Sequence, residues 1–231
     1  VFASEPENAP AWALAARLRE AAGDAEGASS AWTRAAEASS GLDAARAWRL
    51  AAVPWEASDP DRARGLLSRA VEAFPGFAPA HAALAIVAER TGHHEAALRA
   101  ATSGLGEDGL TAPLTRDERL AAALAGASSA YALARWPAAW ELAGEVLALA
   151  PESADGWLTR GVAAFHLGSP ATCCRDLEAW LATSPAESLR SRPLTVLADA
   201  LAAQGDVARA LERYGDALAL DAALDEAHSG R

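Results

Sequence analysis

A period of 34 residues runs along most of the chain. When residues 9–40 are aligned with residues 154–185, Trp12 falls on Trp157 and Gly23 falls on Gly168. The same alignment takes in four further segments, which begin at residues 44, 78, 120 and 191. A repeat of this length is typical of stacked helical hairpins, in which each unit buries its apolar face against its neighbours.

Each unit contains two helical patterns joined by a short turn. Four turns carry a glycine, which suits a helix C-terminus that needs a positive φ. A capping residue and a proline open the second helix in two units, and a proline follows the second helix in three. The turn glycines are Gly23, Gly92, Gly168 and Gly205, the opening pairs are Asp59-Pro60 and Ser169-Pro170, and the closing prolines are Pro75, Pro151 and Pro185.

Small residues recur in the second helix where the two helices of a unit should cross closely. A bulkier side chain there would push the helices apart. These residues are Ala28, Ala63, Ala97, Ala139, Cys173 and Ala210, and larger residues follow them at Trp32, Leu67, Leu177 and Tyr214. The pattern predicts a buried contact at each small position.

In its period, its turn, its small residue and its closing proline, the chain resembles the tetratricopeptide repeat family. Residues 154–187 fit the family best, with Trp157, Gly161, Gly168 and Pro185 in place. The resemblance implies an all-α fold: a right-handed α-solenoid, or superhelix, of about six antiparallel helix–turn–helix hairpins with a concave face. We predict one solenoid over residues 1–231, with units at about 9–42, 44–77, 78–111, 120–153, 154–187 and 191–224.

Two joins depart from the period. Thr115 and Glu118 have the spacing of a capping box, which should lengthen the first helix of the fourth unit after an exposed loop at 106–113. Residues 186–194 should lengthen or offset the sixth unit. Residues 1–8 and 225–231 are similar to pieces of flanking repeats, so we expect a segment of a longer repeat protein, with a capping helix at one end as the alternative.

The charge and composition narrow the possible chemistry. The net charge is −11, and all 20 basic residues are arginine. This balance disfavours a nucleic-acid surface, and the absence of lysine excludes P-loop and Schiff-base lysine chemistry. No apolar stretch is long enough for membrane insertion, and the first residues lack the pattern of a signal peptide, which favours a cytoplasmic location.

Two adjacent pairs, Cys173-Cys174 and His93-His94, could suggest a redox or metal site. Neighbouring cysteines rarely form a disulfide, and no second cysteine pair supplies the spacing of a metal site. Neighbouring histidines on a helix point about 100° apart and chelate poorly. Cys173 occupies the small-residue position, so we predict that it packs. We predict no catalytic, cofactor-binding or metal-binding residue.

The resemblance implies a concave face built mainly from the first helix of each unit. Its exposed positions are apolar and aromatic in the middle of the chain and charged toward the ends. The candidate partner-binding residues are Arg17, Trp48, Trp55, Ile86, Arg90, Leu124, Tyr131, Leu158, Val162, Phe165 and His166. Soluble proteins seldom expose a contiguous apolar patch without using it, and aromatic residues often anchor interfaces.

These features predict a non-catalytic scaffold or adaptor that binds an apolar peptide or helix of a protein partner. The lysine and asparagine with which some family members grip a C-terminal carboxylate are absent from the groove positions. A regulatory or substrate-recruiting region of a larger enzyme or signalling protein is the alternative function. Neighbouring repeats, a second copy of the chain or plain core packing could equally cover the aromatic residues.

Overall fold

The computed structural model describes residues 8–106, 112–183 and 185–229, with side chains as far as residue 220. Parts of the predicted flanking pieces and of the predicted loop lie outside the described residues, at 1–7, 107–111 and 230–231. Within the described ranges every regular element is a helix. This confirms the predicted all-α fold class.

Successive helices pair along the chain as hairpins. In the part of the chain that the structure describes, the α-helices are α1 (Ala9–Ala21), α2 (Ala25–Glu37), α3 (Gly41–Ala52), α4 (Trp55–Ser58), α5 (Pro60–Ala73), α6 (Ala78–Arg90), α7 (His94–Gly106), α8 (Arg116–Ala132), α9 (Trp136–Leu149), α10 (Ala154–His166), α11 (Pro170–Ala182), α12 (Ser191–Ala203) and α13 (Val207–Ser229). A 3₁₀ turn covers Glu187–Leu189.

The chain divides into two compact units, residues 1–129 and 130–231, and the boundary falls within α8. In the first unit α1 packs on α2, α3 on α5 and α6 on α7, and each hairpin also contacts the next. In the second unit α10 packs on α11 and α12 on α13, while α9 packs on α10. Each unit therefore consists of helical hairpins that are stabilised by their neighbours in sequence.

The turns between paired helices follow the predicted geometry. All four predicted turn glycines have positive φ angles, such as +77° at Gly168. The fourth repeat has alanine at this position, and Ala134 adopts a φ of +53°. Its turn makes the same backbone bonds as the glycine turns, with Arg135 N donating to Ala130 O over 2.8 Å. Because L-residues are strained in this region, Ala134 carries a cost that glycine avoids.

The predicted small residues lie where the helices cross. All six are at most 2% exposed, from Ala28 to Ala210. Cys173 is among them as a free thiol, and burial raises its pKa to about 12. Cys174 accepts a hydrogen bond from Gln204 Nε2 over 2.9 Å. The prediction that Cys173 packs is confirmed, because its side chain has no exposed surface. A buried thiol that stays protonated is also a poor nucleophile.

The two irregular joins are visible as helix extensions and offsets. Thr115 and Glu118 form the predicted capping box, in which Thr115 N donates to Glu118 Oε2 over 2.9 Å and Glu118 N donates to Thr115 Oγ1 over 3.2 Å. The box starts α8, which is 17 residues long. The 3₁₀ turn offsets α12, as expected. The extra helix α4 was not predicted, and it lengthens the connection between the paired helices α3 and α5.

A buried ion pair joins α10 to α11. Asp176 has no exposed surface, and Arg160 reaches it with Nε at 2.6 Å and a second nitrogen at 3.1 Å. Arg175 adds a contact of 3.0 Å from the same helix as Asp176. The carboxylate is thus fully paired, as a buried charge must be.

Candidate partner-binding site

Trp48 is not on an accessible surface. It is 8% exposed and belongs to the core of the first unit, together with Trp32 and Phe77. Helix α3 is rich in alanine, so the large indole fills the volume that these small side chains leave. The guanidinium of Arg69 lies 4.9 Å from the ring centroid. The prediction that Trp48 lines an exposed groove is therefore wrong.

Trp55 opens the short helix α4 and is anchored by hydrogen bonds. Its Nε1 donates to Ser29 Oγ over 2.7 Å, and that hydroxyl donates to the Ala51 carbonyl over 2.7 Å. The guanidinium of Arg62 stacks 3.7 Å from the ring centroid. The indole is half-buried, so much of its binding capacity is already used within the chain.

Arg90 also contacts this short helix. One of its terminal nitrogens donates to the Glu56 carbonyl over 2.9 Å, while the Glu56 carboxylate pairs with Arg49 at 2.8 Å. Arg90 itself is exposed. The structure therefore brings Arg90, at the end of α6, into contact with the four-residue helix that carries Trp55, although the repeat alignment puts the two residues in different units.

The other predicted residues of the first unit lie on first helices of hairpins. Ile86 is half-buried against a small alanine core, and Leu124 is half-buried on α8. Arg17 is exposed on α1. Between α8 and α6, Ser128 Oγ donates a hydrogen bond to Glu89 Oε1 over 3.0 Å. No described contact joins Arg17 to the other candidates, so their common role stays a prediction.

Four aromatic side chains meet in the second unit. Trp136 stacks on His166, with ring centroids 4.0 Å apart and an interplanar angle of 8°. Tyr131 meets the edge of Trp136 at 6.0 Å, and Phe165 meets His166 at 5.6 Å. We call Tyr131, Trp136, Phe165 and His166 the aromatic cluster.

The aromatic cluster is open to solvent. Tyr131 is 37% exposed, His166 is exposed, and Phe165 and Trp136 are half-buried. Three of these residues were predicted from the repeat alignment, but Trp136 was not, because it is the first residue of a second helix. A tryptophan followed by proline at that point is the signal that could have found it.

The remaining two candidates belong to the core beneath the cluster. Val162 is 4% exposed and packs with Leu177 and Leu197, so the prediction that it lines an exposed groove is wrong. Leu158 is half-buried and packs against the same core. Both side chains hold α10 against its neighbours and thereby support the aromatic cluster from below.

The described residues also limit other kinds of site. Among them, no group of three or more histidine, cysteine, aspartate or glutamate side chains could hold a metal ion. His93 lies 3.0 Å from Thr91 Oγ1, and His94 lies 3.4 Å from Ser129 Oγ, so the two histidines point to different partners. No helix in this part of the chain is long and apolar enough to cross a membrane.

A family model described as a tetratricopeptide repeat matches residues 55–108 and 124–172. The first segment contains α4, α5, α6 and α7, and the second contains α9 and α10. Over these two segments the chain matches the tetratricopeptide repeat family, and its helical hairpins agree with that match. Among curated proteins, none is significantly similar to it in sequence.

Solved structures of tetratricopeptide repeat proteins share the fold. YrrB, described as a TPR protein with an unusual peptide-binding site, aligns with a TM-score of 0.61 and 14% identity over 76% of this chain and 86% of that one. MamA of Desulfovibrio magneticus RS-1 aligns with a TM-score of 0.56 and 14% identity over 78% and 97%. MamA AMB-1 gives 0.59 and 17% over 75% and 96%. At these identities the likeness concerns the fold.

Proposed function

We propose that the protein is a non-catalytic interaction scaffold that binds an apolar peptide or helix of a partner protein, with the aromatic cluster as its anchor. The observation that carries this proposal is the set of four rings that contact one another, one pair stacked and two pairs edge to face, while remaining partly exposed. Aromatic side chains contribute large contact areas and are enriched among the residues that dominate binding energy.

The arrangement of the rings suits recognition of an apolar segment. Stacking on Trp136 restrains His166, so little side-chain entropy is lost when a partner arrives. The Tyr131 hydroxyl and the imidazole nitrogens supply polar atoms beside the apolar ring faces. A partner side chain such as leucine or phenylalanine can therefore pack on the rings while its backbone forms hydrogen bonds with these groups.

Charge selects among the partners. The chain carries a net charge of −11, so long-range repulsion disfavours strongly acidic segments and favours neutral or basic ones. The peptide-binding site named for YrrB supports a peptide as the kind of ligand, although it says nothing about its sequence. Arg17, Ile86, Arg90 and Leu124 remain proposed contacts for further segments of a partner.

The proposal can be tested with peptides selected on the folded protein from a random phage-displayed library. Enriched peptides should carry apolar anchors and no excess of acidic residues. The double variant Tyr131→Ala/His166→Ala should weaken their binding by about tenfold or more in calorimetry, because losing two interface rings removes anchoring contacts. Both side chains are exposed, so far-UV circular dichroism should be unchanged.

Leu189→Ala provides the matched control, because Leu189 is an apolar residue of the same unit that is 62% exposed and lies outside the aromatic cluster. It should leave the dissociation constant within about twofold. Equal binding by the wild type and the double variant would remove the aromatic cluster as the site. Failure of the wild type to enrich any peptide would count against the scaffold function itself.

A further inference from the structure

A cleft of about 320 Å³ opens between α5, α6 and α7 in the first unit. This volume is at the lower end of the range of ligand pockets, which is roughly 300–1,000 Å³. Its polar lining consists of Arg64, Ser68, His81, Arg99 and Ser103. None of the predicted groove residues lines the cleft, and its test does not involve the aromatic cluster.

The His81 side chain lines this cleft and is almost completely buried. The side chain is 7% exposed, and its Nε2 lies 2.7 Å from the Pro75 carbonyl. A carbonyl oxygen only accepts, so Nε2 carries a hydrogen and donates it. Nδ1 is buried and has no hydrogen-bond partner among the described residues. In that tautomer Nδ1 is an acceptor, so the partner that a buried polar atom normally has must here be a donor, such as a water molecule.

Arg64 lines the same cleft and also has a buried atom without a described partner. Its Nε is buried without a partner among the described residues, while a terminal nitrogen donates to Asp61 Oδ1 over 2.9 Å. The guanidinium carries a fixed positive charge, so the free N–H favours an oxygen that bears negative charge. The Asp61 carboxylate neutralises part of this charge but is not in the lining.

The side chains that line the cleft carry a net positive charge, whereas the protein carries a net negative charge. The lining contains two guanidinium groups, from Arg64 and Arg99, and no carboxylate, although the chain carries a net charge of −11. Arg99 is exposed and bonds only weakly to the Glu95 carbonyl, at 3.4 Å, so its terminal nitrogens can turn toward a ligand. The cleft therefore concentrates small anions.

The rest of the wall is apolar and consists of Val71, Leu84, Ala96 and Ala100. We infer that the cleft binds a small organic carboxylate, whose oxygens accept hydrogen bonds from Arg64 and Arg99 while its short hydrocarbon body packs on the apolar wall. An inorganic anion such as phosphate would leave that wall without a partner. The pairing of guanidinium and carboxylate is directional, which fixes the ligand in one orientation.

The test uses 4-methylpentanoate as the probe and 4-methylpentanamide, its neutral analogue of similar shape, as the comparison. Near neutral pH the carboxylate should bind the wild-type protein with a dissociation constant on the order of 1 mM, as expected for a ligand of this size. The amide should bind at least about tenfold more weakly, because it lacks the charge that the arginines recognise. Nitrogen-15 spectra of the imidazoles should show a shift of the His81 resonance on saturation with the carboxylate.

The double variant Arg64→Gln/Arg99→Gln should lose about tenfold or more in affinity for the carboxylate. Arg46→Gln is the matched control, since Arg46 is an exposed arginine of the same unit that does not line the cleft. It should change the affinity by less than about twofold, which separates specific contact from a change in net charge.

Four outcomes would overturn the inference. The first is the absence of saturable binding, which would mean that only water occupies the cleft. The second is equal binding of the carboxylate and the amide. The third is inorganic phosphate binding as tightly as the carboxylate, which would show a general anion site without a role for the apolar wall. A His81 shift that reaches its midpoint at the same carboxylate concentration in the wild type and in the arginine double variant would also contradict the stated contacts.

Discussion

Trp55 in the first unit and Phe165 in the second occupy the same position of the repeat, the twelfth residue of their aligned segments. Trp55 is fixed by a hydrogen bond to Ser29 and covered on one face by Arg62. Phe165 contacts another ring, His166, and remains partly exposed. The same repeat position thus serves packing in one unit and forms a candidate binding surface in the other.

The length of the connection explains this difference. Residues 53–59 separate α3 from α5 and include the extra helix α4, whereas only residues 167–169 separate α10 from α11. The longer connection carries Trp55 on α4, where its indole reaches Ser29. In the short connection the chain turns at Gly168, and Phe165 stays on α10 beside His166. The connection, rather than the repeat position, decides how the aromatic side chain is used.

The largest effect is expected when a ring of the first unit is removed. Trp48→Ala should lower the free energy of unfolding by about 3–5 kcal/mol, because it leaves a cavity in a core of small side chains. Tyr131→Ala in the second unit should cost less than about 1 kcal/mol, because its ring is exposed. Urea unfolding followed by circular dichroism measures both. Similar losses for the two variants would break the comparison.

The second unit should depend on the buried ion pair. Asp176→Ala should lower the free energy of unfolding by about 3 kcal/mol, since it leaves the half-buried Arg160 without its carboxylate. Glu178→Ala is the matched control on the same helix, because Glu178 pairs with Arg209 at the surface. It should cost less than about 1 kcal/mol. A loss at Asp176 no larger than at Glu178 would mean that the ion pair adds little.

The smallest effect concerns the turns. Ala134→Gly should raise the free energy of unfolding by about 0.5–1 kcal/mol, because glycine adopts a positive φ without strain. Gly168→Ala should lower it by about 1 kcal/mol, since the same strain would then be introduced into the next turn. Thermal or urea unfolding of both variants checks the opposite signs. Two changes of the same sign would show that the turns are not equivalent.

The features that the sequence predicted correctly depend on neighbouring residues. A turn glycine, a small residue at a helix crossing and the capping box of Thr115 and Glu118 each act within a few positions of the chain. Their geometry is therefore the same wherever the motif occurs. Cys173 is the clearest example, because its place in the repeat alone predicted a buried, packed thiol.

The features that the sequence missed depend on how helices pack. Trp48 and Val162 occupy positions that the family alignment assigns to an open face, yet both are buried by residues far along the chain. Trp136 joins the aromatic cluster from a second helix, which an alignment of first helices ignores. The cleft is likewise formed by three helices, α5, α6 and α7, so no single sequence motif predicts it.

The most direct test of the account is to map a selected peptide onto the protein by NMR, from the aromatic carbon and proton shifts during titration. The account predicts that the largest changes occur at Tyr131, Trp136, Phe165 and His166, and that Trp48, which is buried in the first unit, changes little. Changes concentrated on Trp55 and its surroundings, with the aromatic cluster unaffected, would contradict the claim that the second unit provides the anchor for the partner.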